Sequence, residues 1–296
     1  MNWPALGLAG LALLPAAREA LRTPSRRLQQ QAPGQIANLS DGKTHFQWSG
    51  PKTGPVAVCI HGLTTPSFVW SALLPQLTAK GYRTLTYDLY GRGYSGAPRG
   101  LQSPGFFTTQ LDDLLNHEGV TDDITLIGYS MGGAIATAFA KDQHHRLRRL
   151  ILLAPAGMGH DLGPLTKWAT DWPLIGDWAF HMGFPRSHAA YARTETRDPI
   201  EDLPERLEAQ LARRGYVRSV LSSLRGTLRR PMEAQHKAIA HAGLPVTAIW
   251  GREDSVIPLR AMGQLAQWNR DAQHHVIDGA GHGLTFTHAA QAAACL

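Results

Sequence analysis

Residues 128–132 read Gly128-Tyr-Ser-Met-Gly132, and they separate two runs of different character. The apolar run before them, Ile124 to Ile127, predicts a short buried strand, and the small residues that begin at Gly132 predict a helix. The five residues are therefore expected to form a sharp strand-to-helix turn, which the flanking glycines permit because they have no Cβ. Such a turn presents Ser130 outward at the carboxyl end of its strand, so Ser130 is the candidate nucleophile.

A serine hydroxyl needs a general base to take its proton, and the base needs a third group to orient it. A second apolar strand is predicted at Val246 to Trp250, and Asp254 lies just past its end. A third strand, at His274 to Ile277, leads into a glycine-rich loop that contains His282. Carboxyl ends of parallel strands lie at one edge of a sheet, so the order Ser130, Asp254, His282 predicts a catalytic triad.

Other segments carry motifs in an order that supports the same arrangement. They are Val56 to Ile60 followed by His61-Gly62-Leu63-Thr64, a predicted helix from Ser71 to Lys80 stopped by Gly81, Leu85 to Tyr87 followed by Asp88 to Gly96, and Leu150 to Leu153 followed by Ala154-Pro155-Ala156-Gly157. With the Ser130 turn, these motifs resemble the α/β-hydrolase family from about Gln35 to the C-terminus. The resemblance implies an α/β fold with a mostly parallel sheet of roughly eight strands, helices on both faces and an inserted helical cap.

The resemblance also assigns expected roles around the serine. His61-Gly62-Leu63-Thr64 looks like the family's oxyanion loop, and the backbone N–H groups of Leu63 and Met131 match the family's oxyanion hole. Glu253 is the main alternative to Asp254 as the acid of the triad, and the family pattern favours Asp254. No metal and no organic cofactor are implied.

The type of reaction is narrowed by the residues around Ser130. Relatives that open epoxides or remove halide use an aspartate nucleophile, and the serine argues against both. Relatives that hydrolyse carbon–carbon bonds of ring-cleavage products keep the serine, and Ser130-Met-Gly-Gly133 resembles theirs. Tyr129, however, stands where they usually have asparagine, and Gly283 where they often have tryptophan. We therefore expect a hydrolase of small-molecule carboxylic esters, resembling a monoacylglycerol lipase. The alternatives are a carbon–carbon hydrolase and a non-catalytic small-molecule-binding protein of this fold.

The chain is expected to divide into an N-terminal apolar and basic segment (1–34), a hydrolase core (35–154 and 245–296) and a helical cap insertion (155–244). Within the first part, Asn2 to Ala17 is uncharged but short of the ~20 residues that span a bilayer. Arginines follow this apolar stretch, whereas a signal peptide has them before it. Two alternatives remain: an interfacial anchor with the arginines at anionic lipid, or a segment packed on the enzyme's own surface. The expected location is the cytoplasm, with peripheral membrane association under the first alternative.

The predicted cap is far longer than an ordinary loop and must have its own structure. Leu203 to Arg214 and Val217 to Arg230 have the pattern of amphipathic helices. Large apolar side chains are concentrated in its first part, namely Trp168, Trp172, Trp178, Phe180, Met182 and Phe184. They either form the wall of an apolar pocket above Ser130 or pack the cap onto the sheet.

Composition excludes several other functions. The chain has 296 residues, 43% of them hydrophobic, which suits one catalytic domain. Its net charge is +6, but the sequence has no stripe of basic residues with aromatic residues interleaved, so nucleic-acid binding is not predicted. Gly91 to Gly96 matches the dinucleotide fingerprint, but Ala97-Pro98-Arg99-Gly100 follows it where that motif requires a helix. Adjacent histidine pairs lack the spacing of metal ligands, and two cysteines offer no disulfide framework. The sequence carries no prediction of oligomeric state.

Overall fold

The computed structural model describes residues 3–159, 163–194, 200 and 202–296; Met1 and Asn2 of the predicted N-terminal segment, and residues 160–162, 195–199 and 201 of the predicted cap, lie outside the described residues. The strands of the described chain are β1 (Gln35–Leu39), β2 (Gly42–Ser49), β3 (Val56–Ile60), β4 (Arg83–Tyr87), β5 (Ile124–Tyr129), β6 (Leu147–Leu153), β7 (Val246–Gly251) and β8 (Gln273–Ile277). The helices are α1 (Trp3–Leu21), α2 (Ser25–Gln29), α3 (Leu74–Ala79), α4 (Pro104–His117), α5 (Met131–Gln143), α6 (Pro164–Asp171), α7 (Ile175–Thr194), α8 (Leu203–Leu211), α9 (Tyr216–Arg225), α10 (Glu233–His241), α11 (Arg260–Trp268), α12 (Leu284–Thr287) and α13 (Ala289–Ala294).

All of these strands form one sheet with the order β1-β2-β4-β3-β5-β6-β7-β8. Neighbouring strands from β4 to β8 in this order pair in parallel, whereas β2 pairs antiparallel with both β1 and β4. The order confirms the predicted mostly parallel, eight-stranded α/β-hydrolase sheet. β1 and β2 were not identified individually from the sequence; they form a hairpin in which Leu39 pairs with Gly42 across Ser40 and Asp41.

The sheet is buried on both faces, as a parallel sheet requires. Helices α4, α5, α10 and α11 cover one face, where Leu111, Ile135 and Leu265 belong to one buried cluster. Helices α3, α12 and α13 cover the other, where a second cluster includes Trp70 and Leu77. All six residues of the central strand β5 are buried. This two-sided core holds the carboxyl end of β5, and with it the Ser130 turn, in a fixed position.

The described cap helices are α6 to α9, between β6 and α10. They have a small core of their own, in which Phe180, Tyr216, Val220 and Leu221 are buried together. Helix α10 falls inside the predicted cap range 155–244, yet it packs against α5 and α11 of the core. The two predicted amphipathic helices are present as α8 and α9, and both end earlier than predicted, because the chain turns at Ala212 to Gly215 and at Gly226.

The N-terminal segment lies against the cap. The indole N–H of Trp178 in α7 donates to the carbonyl of Leu11 at 2.9 Å. Just past α1, Thr23 N–H donates to Ala212 O at 2.8 Å, and Arg214 N–H donates to Thr23 O at 2.9 Å. Within the described chain, none of the helices combines the length and the apolarity needed to cross a bilayer. The structure thus shows contact with the enzyme's own surface, which was one of the two alternatives.

Candidate active site

Ser130 lies in a strained turn between β5 and α5. Its φ of 52° is positive, a conformation that residues with a side chain rarely adopt. Backbone hydrogen bonds hold it there, since the carbonyl of Ser130 accepts from Gly133 N–H and Ala156 N–H, both at 2.9 Å. Gly132 has no room for a side chain, because a Cβ there would meet the Ile60 carbonyl. Strain of this kind, stored by a well-packed surrounding structure, is typical of catalytic turns.

The structure brings the three predicted triad residues into one hydrogen-bonded chain. His282 Nε2 lies 3.0 Å from Ser130 Oγ, and His282 Nδ1 lies 2.8 Å from Asp254 Oδ2. The other oxygen of Asp254 accepts from the backbone N–H groups of Val256 and Ile257, at 2.8 and 2.7 Å. Both distances to His282 are within the range for proton transfer and for fixing an imidazole tautomer. The catalytic roles of these residues remain predictions that this geometry makes possible.

Burial distinguishes the two candidate acids. Asp254 is only 5% exposed, whereas the neighbouring Glu253 is exposed to solvent. The turn after β7 causes this difference, since Glu253 N–H donates to Ala280 O at 2.9 Å and Asp254 follows on the inner side of the loop. Only Asp254 contacts His282, in agreement with the family pattern.

Tyr129 supports the loop that carries His282. Its hydroxyl donates to the backbone carbonyl of His282 at 3.1 Å, and the two rings lie 5.3 Å apart. Tyr129 also packs edge-on against the buried Trp70. Tyr129 therefore links the end of β5 to the loop after β8, which fixes the position of His282 relative to Ser130.

The predicted oxyanion residues lie on either side of Ser130. Met131 is the first residue of α5, a position whose N–H has no partner within the helix. Leu63 lines the same cavity as Ser130, and the chain at Gly62 passes so close that a Cβ there would be 3.3 Å from the Ser130 Cβ. The structure thus brings both predicted donors to the serine, and their role in binding an oxyanion stays a prediction.

Two buried side chains support the predicted oxyanion loop by donating hydrogen bonds to its backbone carbonyls. His61 Nδ1 donates to the carbonyl of Gly62 at 2.8 Å, and its Nε2 accepts from Leu89 N–H at 2.9 Å. Burial lowers the pKa of His61 to about 4, so the ring is neutral and can both donate and accept. The second is Arg92, whose Nε donates to the carbonyl of Leu63 at 3.0 Å.

Arg92 was not predicted as a site residue. It is completely buried, and burial lowers the pKa of its guanidinium to about 9, so it remains charged at neutral pH. Besides Leu63 O, its acceptors are Tyr90 O at 2.9 Å, Gln102 Oε1, Ser219 O at 3.3 Å and Ser223 Oγ at 2.8 Å. Arg92 therefore connects the oxyanion loop to cap helix α9. The only signal in the sequence was an arginine between two glycines, in the segment that resembles a dinucleotide motif.

A cavity of about 470 Å³ opens beside Ser130, beneath the cap. Most of its lining is aliphatic or aromatic, including Leu63, Phe184, Leu203, Leu207, Leu228 and Phe286. The hydroxyls of Thr64, Thr65 and Ser187 add polar contacts without charge. The described lining is thus largely apolar and neutral, which suits an uncharged acyl chain.

His188 is the buried polar residue that the cap contributes to this cavity. Burial lowers the pKa of its ring, which keeps it neutral. Its Nε2 lies 3.3 Å from the hydroxyl of Tyr216, which itself donates to the carbonyl of Thr64 at 3.0 Å. The His188 ring also forms a hydrogen bond with the backbone of Leu207. These contacts form a second connection between the cap and the oxyanion loop.

Few of the large apolar residues at the start of the cap reach the cavity. Phe184 does, and it stacks on Phe180, which is buried in the core of the cap. Trp168 and Trp172 are instead 41% and 58% exposed. Sequence composition identified an apolar region here but not which side of the cap each residue faces.

Within the described residues, no group of three or more His, Cys, Asp and Glu side chains is arranged to hold a metal ion. Cys59 is buried and Cys295 is partly exposed, and both are free thiols. Gly91 to Gly96 forms a turn, and the next helix begins only at Pro104, so the segment lacks the helix that a dinucleotide site uses.

Comparisons with known proteins agree with this geometry. The family described as "alpha/beta hydrolase fold" matches residues 55–289. The chain is 31% identical over 239 residues to 2-hydroxymuconate semialdehyde hydrolase of Pseudomonas sp. (strain CF600), covering 75% of this chain and 77% of that protein. It is 28% identical over 244 residues to 2-hydroxy-6-oxo-2,4-heptadienoate hydrolase of Pseudomonas putida, covering 77% and 83%. The crystal structure of the enol-lactonase from Burkholderia xenovorans LB400 has a TM-score of 0.72 at 18% identity, over 88% of this chain and 97% of that one, a likeness of fold alone.

Proposed function

Because this chain belongs to the α/β-hydrolase fold family, we propose that it is a serine hydrolase that cleaves small-molecule carboxylic esters through an acyl-enzyme. The observation that carries the proposal is the continuous hydrogen-bonded chain from Asp254 through His282 to Ser130, which opens into a neutral, largely apolar cavity. Hydrolase chemistry follows from the fold and the relatives; the ester substrate is the part that is proposed.

The proposed cycle has two half-reactions. His282 Nε2 takes the proton of Ser130 as Oγ forms a bond to the ester carbonyl carbon, and Asp254 stabilises the imidazolium. The N–H groups of Leu63 and Met131 stabilise the oxyanion, each contributing about 3 to 4 kcal/mol. The carbon–oxygen bond to the alcohol then breaks, and the alcohol leaves with the proton from His282. Water repeats the attack with His282 as base, releasing the acid and restoring Ser130.

The cavity supports an uncharged, lipid-like acyl group such as that of a monoacylglycerol. Its volume of about 470 Å³ is in the range of small-molecule sites. Leu203, Leu207 and Phe286 offer apolar area on which an acyl chain can be desolvated, at about 25 cal/mol for each Å² removed from water. A substrate that carries a carboxylate would bind better in a cavity lined by a cationic side chain.

A second candidate is hydrolysis of a carbon–carbon bond in a ring-cleavage product. This reaction is favoured by the 31% identity to 2-hydroxymuconate semialdehyde hydrolase. That similarity supports it about as strongly as the site supports ester hydrolysis. One structural detail favours the ester. A Cβ at Gly283, where carbon–carbon hydrolases often have tryptophan, would meet the ring of Phe286, so this chain fills that part of the cavity differently.

The test is a substrate panel on the purified full chain. It contains p-nitrophenyl esters from acetyl to palmitoyl, a monoacylglycerol, and 2-hydroxy-6-oxo-2,4-heptadienoate, whose cleavage is followed by loss of its dienol absorbance. We expect turnover of medium or long esters with a burst of p-nitrophenol, and a loss of at least about 10³-fold in Ser130→Ala.

Each other outcome selects a different function. Turnover of the dienoate alone would replace the ester proposal with carbon–carbon hydrolysis. Turnover of acetyl esters alone would remove the lipid-like substrate. No turnover by folded protein, together with saturable binding of an ester analogue, would point to a binding protein.

A further inference from the structure

From Gly10 on, where its side chains are described, helix α1 presents an apolar surface that the cap covers on one side only. Residues 3–17 consist of Ala, Gly, Leu, Pro and a single Trp. A helix that is hydrophobic all round is normally buried. Here Leu11 and Leu13 are 52% and 64% exposed, although the side of α1 near Leu11 lies on α7.

The cap adds a second exposed apolar feature beside it. At the turn between α6 and α7, Trp172, Leu174 and Ile175 are 58%, 82% and 62% exposed. Leu174 has a φ of 68°, which marks it as the tip of the turn. Exposed large side chains are common singly, but three of them within four residues mark an interaction surface.

The two features form one continuous surface. Leu174 and Ile175 of the cap and Leu11, Ala12, Pro15 and Ala16 of α1 line the same open groove, which has a volume of about 720 Å³. We refer to the surface made by Leu11, Ala12, Pro15, Leu174 and Ile175 as the α1–α7 shoulder.

Positive charge borders the shoulder. Arg18 is exposed next to Glu19 of the groove, and Arg26 and Arg27 are exposed further along the chain in α2. The neighbouring acids are already neutralised, because Glu19 pairs with Arg22, and Asp177 pairs with Arg225 at 2.7 Å. An apolar face bordered by arginines complements the acyl region and the phosphates of an anionic lipid surface.

A second copy of this chain fits the same surface poorly. In a two-fold symmetric dimer both sides of the interface are this same surface, where Glu19 and Asp177 are already paired within their own copy. A second copy therefore offers the arginines no unpaired acid there, whereas anionic lipid attracts each of them.

We propose that the α1–α7 shoulder docks on an anionic phospholipid surface, with Leu11, Leu174 and Ile175 in the interfacial layer and the arginines at the phosphates. The apolar stretch of α1 is about 22 Å long, shorter than the ~30 Å hydrocarbon core, so it lies in the interface. Membrane docking goes beyond ester hydrolysis and does not depend on it.

The shoulder is structurally connected to the cavity. Helix α7 begins at Ile175 in the shoulder and reaches Phe184, which lines the cavity, about 14 Å further along its axis. Docking would therefore bring the cap close to lipid esters. This last consequence rests on the proposed function, whereas the docking itself is measured without any turnover.

The experiment is flotation of the full chain with vesicles of phosphatidylglycerol and phosphatidylcholine, compared with phosphatidylcholine alone. The shoulder variant is Leu174→Asp combined with Ile175→Asp. Both changes suit the local backbone, because aspartate tolerates the positive φ of residue 174 and is favoured in the first turn of a helix, where residue 175 lies. The matched control is Leu101→Asp, at a residue 58% exposed outside the shoulder.

We expect the wild type and Leu101→Asp to float with the anionic vesicles and the shoulder variant to bind at least about tenfold more weakly. Arg26→Ala with Arg27→Ala should lose about fivefold for each charge removed, on anionic vesicles only. Ser130→Ala should bind like the wild type, which separates docking from catalysis.

Failure of the wild type to float would overturn the proposal, as would equal binding by the shoulder variant. Sedimentation equilibrium supplies a third decisive result. A wild-type dimer that becomes monomeric in the shoulder variant would show that a second copy covers the shoulder, and the proposal would be wrong.

Discussion

Replacing Gly132 with alanine adds a single methyl group at the tightest point of the active-site turn. A Cβ at this position would lie 2.0 Å from the carbonyl oxygen of Ile60 and 2.6 Å from that of His61. Carbon and oxygen approach each other to about 3.3 Å in proteins, so the N-terminus of α5 and the end of β3 must separate by about 1 Å. Neither group can move alone, because Ile60 is paired with Gly128 in the sheet.

The separation has two measurable consequences. Overpacking a rigid backbone contact should lower the free energy of unfolding by about 2 to 3 kcal/mol. The displaced segment also begins the oxyanion loop, which carries Leu63 away from Ser130. Misplacement by about 1 Å costs roughly 10²-fold in rate, so kcat/KM should fall by about that factor, mainly through kcat.

Two assays test this prediction, urea unfolding and ester kinetics. The control is Gly263→Ala in α11, where nothing lies within 4 Å of the added Cβ, and which should raise the free energy of unfolding by up to about 1 kcal/mol at unchanged activity. A Gly132→Ala protein with wild-type stability and wild-type kcat/KM would refute the view that this backbone contact positions the serine.

Three further predictions concern buried polar groups. Arg92→Lys keeps the charge but cannot reach all five acceptors, so kcat should fall about tenfold in steady-state kinetics with KM little changed. Arg92→Met, which loses the charge as well, should lower kcat further. Equal kcat in both variants would contradict a role for charge and donors. Asp254→Asn should lower kcat by about 10⁴-fold, whereas Glu253→Gln should leave it unchanged; the reverse result would reassign the acid. His45 is paired with the buried Asp88 at 2.7 Å; burial lowers the pKa of His45, and the hydrogen bond and charge of Asp88 raise it by more. That stabilisation is complete below the unfolded histidine pKa of about 6.5 and is lost as pH rises through the folded value, so the difference in unfolding free energy between the wild type and His45→Gln should shrink as pH rises above about 6.5 in urea titrations. A difference that does not change with pH would show that the pair is not what stabilises this site.

The arrangement of the three candidate triad residues was predictable because local signals in the sequence define the place of each. A strand pattern, a tight turn and a residue at the strand's carboxyl end can all be read within about ten residues. The parallel order of the strands then brings Ser130, Asp254 and His282 together. Predicting this arrangement required no knowledge of side-chain packing.

Features that depend on distant contacts were not predictable in the same way. The acceptors of Arg92 include Ser219 and Ser223, well over a hundred residues away in the chain, so no local pattern reveals them. The apolar composition of the early cap did not show that Trp172 faces solvent while Phe184 faces the cavity. Hairpin strands β1 and β2 are partly exposed and contain several polar residues, which weakens the apolar signal that identified the buried strands.

For the N-terminal segment, the sequence likewise could not decide between two possible contact surfaces. Its sequence fits both a lipid interface and the enzyme's own cap, since both offer apolar contact. Hydrogen bonds from Trp178 and around Thr23 show that the cap is one partner. The exposed side of α1 is what leads to the membrane-docking proposal.

Ser130 is proposed to be an activated nucleophile, and covalent labelling with a fluorophosphonate measures that property without any substrate. Intact mass followed by peptide mapping should show one adduct per chain of the wild type, located on Ser130. Ser130→Ala should remain unlabelled, and His282→Ala should be labelled far more slowly because its serine lacks a base. Folded wild-type protein that stays unlabelled, or an adduct at another residue, would show that Ser130 is not the activated nucleophile.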